Sequence, residues 1–164
     1  MTSEDIVTGV VALNGGKLVG RTRLQKTLYL LERCGMAAGL NYGYHDYGPF
    51  SAEVAEAMDF AEVEKRVVSE KKLGPHSVPY YIFTTDEKKP GQLGRLRSKR
   101  VEDYLRIMKE YSAFDLEVAA TMAYLKDTGV PESEVEAKVR ELKPAKATDE
   151  RVRRAQELLE KLNI

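Results

Sequence analysis

Residues 67–85, VVSEKKLGPHSVPYYIFTT, decide how the chain is read, because here its period changes. Val67-Val68 and the run Tyr80-Tyr81-Ile82-Phe83-Thr84-Thr85 are β-branched and aromatic residues that suit a pleated surface. Leu73-Gly74-Pro75-His76-Ser77 between them reads as a loop, so the segment predicts a β-hairpin. Everything upstream has helical period. Ser3 to Leu13 reads as a helix capped by Ser3, with Glu4 and Asp5 in its first turn and Ile6, Val7, Val10 and Val11 at helical spacing. Asn14-Gly15-Gly16 ends it. A second helix runs from about Thr22 to Arg33 with Leu24, Leu28 and Leu31 one turn apart, Tyr29 and Leu30 widening the stripe, and Gly35 as its stop. Residues 40–50 read as an ordered loop or short strand. Ser51 caps a third helix that turns Val54, Ala55, Met58, Ala61 and Val63 inward. Three helices followed by a hairpin is the order of a winged-helix domain, although the connection between helices two and three is far longer than in a simple helix-turn-helix.

Lys88-Lys89-Pro90-Gly91-Gln92 is the expected boundary. It divides a winged-helix-like part, residues 1–90, from a C-terminal helical annex, residues 91–164, packed on it. The annex reads as four helices. The first is Leu96 to Tyr111, with Val101, Tyr104, Leu105 and Met108 on one face. The second, Asp115 to Thr128, is apolar over most of its surface. The third has Pro131 in its first turn, where the missing donor costs nothing, and a stripe of Val135, Val139 and Leu142. The last is capped by Thr148 and turns Val152, Ala155, Leu158, Leu159 and Leu162 inward. The fold class is therefore mainly α: a winged-helix-like three-helix part with a small β-hairpin, followed by a helical bundle.

The chain has 164 residues and a single cysteine, Cys34. That excludes an intramolecular disulfide framework and an all-cysteine metal site, and it suits a reducing compartment. The N-terminus lacks the basic-then-apolar pattern of a secretory signal, and no apolar run approaches the roughly 18 residues of a membrane span. A cytoplasmic address and no membrane association are expected. The formal net charge is zero, yet the window from Lys65 to Arg100 holds ten basic and three acidic residues, a local +7. Such polarity marks a face for an anionic partner, two faces that meet each other, or simply a solvated surface.

Groups that could carry chemistry are few. His45 and His76 have no second ligand at metal spacing, and no phosphate-binding glycine motif is present. Gly9, Gly15, Gly16 and Gly20 read as helix punctuation. Cys34 lies at the end of an apolar helix, where an unreactive buried thiol is the common case. No enzyme activity, cofactor or metal is expected. Two segments do stand out. One holds four aromatics, Tyr42, Tyr44, Tyr47 and Phe50, around Gly48-Pro49. They form either a contact surface, for which Tyr is well suited, or a cover over one edge of the second helix. The other is Gly20-Arg21-Thr22-Arg23-Leu24-Gln25-Lys26. Its cations beside a helix N-terminus oppose the helix dipole, and together with the free backbone donors they can hold an anion.

These two segments, GRTRLQKTLYLL at 20–31 and HDYGPFS at 45–51, also carry a resemblance. An R-L-Q-K…Y-L helix followed by a Y-G-P-[YF]-S turn resembles the prokaryotic YwgA-like group and, more distantly, the Panacea antitoxin domain. The resemblance covers about residues 5–65 and, more loosely, 115–162. It implies a protein-binding module, in the Panacea case one that neutralises a cognate toxin encoded nearby. The expected partner-binding residues are Arg21, Arg23, Gln25, Lys26, Tyr42, Tyr44, His45, Tyr47 and Phe50. The alternative is a winged-helix regulator tracking phosphates through Lys71, Lys72, Lys88, Lys89, Arg95, Arg97, Lys99 and Arg100, although a pI near 6.8 is low for such a domain. The apolar C-terminal helices could equally face a second copy in a homodimer.

Overall fold

Thr2, one residue ahead of the expected cap, starts the first helix, α1 (Ser3–Leu13). Its hydroxyl accepts from the Asp5 N–H while the Asp5 carboxylate accepts from the Thr2 N–H, a reciprocal box that satisfies two orphan donors. In the computed structural model, which describes residues 1–164, the chain continues through β1 (Lys17–Val19), α2 (Arg21–Leu31) and a π-turn over Glu32–Met36. A hairpin of β2 (Gly43–His45) and β3 (Gly48–Phe50) leads into α3 (Ala52–Val63). There follow β4 (Val68–Leu73), β5 (Pro79–Thr84), a second small hairpin of β6 (Gln92–Leu93) and β7 (Leu96–Arg97), and then α4 (Ser98–Met108), α5 (Ala113–Asp127), α6 (Glu132–Leu142) and α7 (Asp149–Leu162). The protein is mainly α, and no helix is long and apolar enough to cross a membrane.

The expected hairpin is β4 antiparallel to β5, but it gains a third strand that alternation alone could not reveal in three residues. β1 pairs with β5 in the register Leu18↔Phe83, giving the order β1-β5-β4. Leu18 and Phe83 pass from this sheet into the interior, whereas Val68, Leu73 and Val78 at the outer strand and tip are exposed. Gln92, placed in the boundary, and Leu96–Arg97, placed in the first annex helix, instead belong to the β6–β7 hairpin, and α4 starts at Ser98.

One apolar cluster of 39 buried residues runs from Ile6 through Phe83 to Leu162, shared by the parts before and after Lys88–Gln92. α5 lies at its centre and packs against α2, α6 and α7, and residues Leu116 to Ala123 are buried around the whole helix. Each of its large aliphatic side chains contributes about 1.5–3 kcal/mol. Val152, Ala155, Leu158, Leu159 and Leu162 are spent on this core, so α7 offers no apolar stripe to a second copy. Two further expectations are corrected. Val63 points outward, because Val54, Ala57, Met58 and Ala61 already fill the inner face of α3. Gly9 is no punctuation: it sits inside α1, where an added Cβ would lie 2.7 Å from Leu93 Cδ1, so its missing side chain admits the β6–β7 hairpin.

Candidate functional site

The β2–β3 hairpin presents Asp46 and Tyr47 at a two-residue turn, closed by the His45↔Gly48 pair. Gly48 has φ +92°, and a Cβ there would stand 2.6 Å from Thr121 Oγ1, so only glycine lets this backbone lie flat on α5. From the other side α2 grips the same hairpin. Gln25 donates from Nε2 to the Ser51 carbonyl and accepts the Ser51 N–H at Oε1, both at 2.9 Å, and Lys26 Nζ donates to the Pro49 carbonyl at 2.7 Å. The two sequence segments thus interlock across 23 to 26 residues of chain. This changes the reading of several expected contact residues. Gln25 and Lys26 are buried and use their polar groups inside the fold. Arg23 donates to the carbonyls of Met108 and Tyr111, closing the C-terminal end of α4, and burial lowers its pKa while Asp115 opposes the shift. Tyr42 packs edge-on against Tyr29 with ring centroids 5.0 Å apart.

The remaining members gather outside. Arg21 lies over the Tyr81 ring at 4.0 Å, and His45 rests on Phe50. Tyr44 is 40% and Tyr47 58% exposed. Arg21, Gln25, Lys26, Tyr47 and Phe50 line one groove of about 290 Å³ between α2 and α3, floored by Leu24, Met58 and Phe83.

Behind Tyr47 lies a charged cluster that sequence reasoning missed. Glu117 of α5, 2% exposed, pairs with Lys143 Nζ at 2.9 Å and with Lys146 Nζ at 3.1 Å. Lys143 also donates to the Asp46 carbonyl at 3.3 Å, tying the α6–α7 connection to the hairpin turn. Lys146 stands 4.5 Å from the Tyr47 ring centroid and 5.8 Å from that of Phe114, which is itself 47% exposed and covered by Arg151 at 4.6 Å. The only sequence signal was Glu117 inside the otherwise uncharged run from Leu116 to Leu125.

Lys26 faces the same cluster. Burial pushes its pKa down to about 8, with Glu117 opposing and Lys143 and Lys146 adding to the shift. An unfolded lysine keeps its proton to about 10.4. Between these values the unfolded lysine binds more protons than the folded one, so its contribution to stability rises with pH. Above about 9 the trend reverses, because burial raises the pKa of the Cys34 thiol and of the Tyr29 and Tyr42 phenols, and in the unfolded chain the thiol and then the phenols ionise first. Urea midpoints are expected to increase from about pH 7.5 to about pH 8.5, and Lys26→Met to abolish that increase.

The basic window is spread over several elements. Lys71 and Lys72 sit on the outer strand β4, Lys88 and Lys89 in the loop before β6, Arg95 and Arg97 on the second hairpin, and Lys99 and Arg100 on α4. Lys72 meets Glu70, Lys89 meets Glu102, Lys99 meets Asp103, and Arg100 lies over Tyr104. α3 carries Glu53, Glu56, Asp59 and Glu62 and no basic residue.

Cys34 is half-buried, and burial pushes its thiol up to about 12, with Arg100 and Arg33 opposing; it stays protonated near neutrality. No group of three or more His, Cys, Asp or Glu is placed to hold a metal ion. Compared with known proteins, the chain matches no family model and no curated protein.

Proposed function

We propose that this chain is a non-catalytic protein-interaction module of the antitoxin or adaptor kind, working in the cytoplasm through the face centred on Tyr47. The observation that carries the proposal is the exposure of Tyr44, Tyr47 and Phe114 on a hairpin and helix start held rigidly by buried polar bonds. Large aromatic rings on a fixed frame lose little entropy on binding and supply the anchors that dominate interfaces. The resemblance to the YwgA-like and Panacea groups supports the same reading. Its motif residues are the ones that build the frame, with Tyr47 left outside, so that the motif fixes the presentation of the face and the surrounding surface selects the partner.

A second reading rests on the element order α1-β1-α2-β2-β3-α3-β4-β5 with the three-stranded sheet β1-β5-β4, which resembles a winged helix interrupted by the β2–β3 hairpin. In that arrangement α3 would face nucleic acid. Its exposed surface sets the carboxylates of Glu56 and Asp59, which repel phosphate, beside the apolar Phe60 and Val63, which favours a protein partner. Affinity capture from the native host should return one stoichiometric protein that survives high salt. Tyr47→Ala should weaken that capture at least about 30-fold, the loss of about 2 kcal/mol typical of an anchor residue. Recovery of nucleic acid alone, lost between low and moderate salt, would replace this reading with the regulator.

A further inference from the structure

Resting on the protein-binding reading, we infer that the Tyr47–Phe114 patch takes an acidic segment of the partner, a carboxylate side chain seated between Lys146 and Arg151. The two rings are linked by Lys146, whose ammonium is 4.5 Å from one and 5.8 Å from the other, and Arg151 covers the far ring at 4.6 Å. Lys143 stands beneath, with its charge and that of Lys146 both directed at the single carboxylate of Glu117. Three cations against one anion leave an excess of two positive charges beside exposed aromatic surface. Lys26, facing the same carboxylate from α2, adds to that excess whenever it is protonated.

The excess is compact, and this selects the class of anion. Asp46 flanks Tyr47 in the turn, α6 carries Glu132, Glu134, Glu136 and Glu141, and the first turn of α7 carries Asp149 and Glu150. A polyanion laid across the patch would run onto these carboxylates. A short segment with one or two acidic residues beside an apolar one would not. Its apolar side chain would pack on the rings, and its carboxylate would replace the water around Lys146 and Arg151, forming charge-assisted hydrogen bonds.

The probes are acetyl-Glu-Leu-Glu-amide, its isostere acetyl-Gln-Leu-Gln-amide and the oligonucleotide dT12, titrated into the ¹⁵N-labelled full chain. The glutamate peptide should shift the amides of Tyr47, Phe114, Lys146 and Arg151 and bind at least about five-fold more tightly than the glutamine peptide. The double variant Lys146→Gln/Arg151→Gln, folded by its own spectrum, should remove that preference. Equal binding of the two peptides at these residues would overturn the acidic-segment inference and leave the protein-binding reading standing. No shift with either peptide would also overturn it. Tighter binding of dT12 at the same residues would overturn both.

Discussion

Glu117→Ala should destabilise the protein by about 3–5 kcal/mol, the cost of leaving a buried cation without its partner. The pair is closed to water on both sides, with Lys143 at 3% and Glu117 at 2% side-chain exposure. Removing the carboxylate strands Lys143 and deprives Lys146 and Lys26 of the one anion that offsets their mutual repulsion. The loss should also be local in its consequences, because Lys143 holds the Asp46 carbonyl and with it the turn that presents Tyr47. The double variant Glu117→Leu/Lys143→Met should be less damaged than Glu117→Ala alone, since replacing both ions by apolar groups removes the desolvation penalty together with the attraction. Urea unfolding of the three variants measures this directly. A Glu117→Ala midpoint near the wild-type value would mean that the cluster is hydrated and contributes little.

Gly94→Ala is the second large effect, expected at about 3 kcal/mol or more. Gly94 lies at the β6–β7 turn with φ +57°, a conformation that alanine tolerates poorly, and its Cβ would overlap the Met36 carbonyl oxygen. Backbone cannot yield as a flexible side chain can, so the hairpin must move away. That would break the 2.7 Å bond from Arg95 N–H to the Met36 carbonyl and lift the fully buried Leu93 from the notch at Gly9. The estimate combines overpacking with one lost buried hydrogen bond. Thermal unfolding of Gly94→Ala beside Gly39→Ala, which shares the positive φ but where an added Cβ meets nothing within 4 Å, isolates the steric part.

The helices were legible because their apolar residues recur at 3.6-residue spacing over two turns or more, and α1, α3 and α7 begin within a residue of where their caps and stripes place them. The β4–β5 hairpin was legible from its β-branched and aromatic runs around Gly74-Pro75. β1, β6 and β7 were not, because two or three residues are too few to express a period and their pairing is decided by distant chain. The candidate face was half legible. Tyr44 and Tyr47 stood out as aromatics around a turn. Nothing local distinguished them from Tyr42, which is packed inward, or distinguished exposed Arg21 from Arg23, which reaches 85 residues along the chain to close α4. The Glu117–Lys143–Lys146 cluster joins residues 26 to 29 positions apart on different elements, so no sequence window contains its geometry.

The central claim is that partners meet this protein on the Tyr47 face. It is tested most directly by amide hydrogen–deuterium exchange of the full chain with and without the protein captured from its host. The account predicts protection of residues 44–50, of the start of α5 around Phe114, and of the α6–α7 connection through Arg151. Protection confined to the β4–β5 hairpin and to residues 88–100, with the Tyr47 turn exchanging as in the free chain, would contradict it.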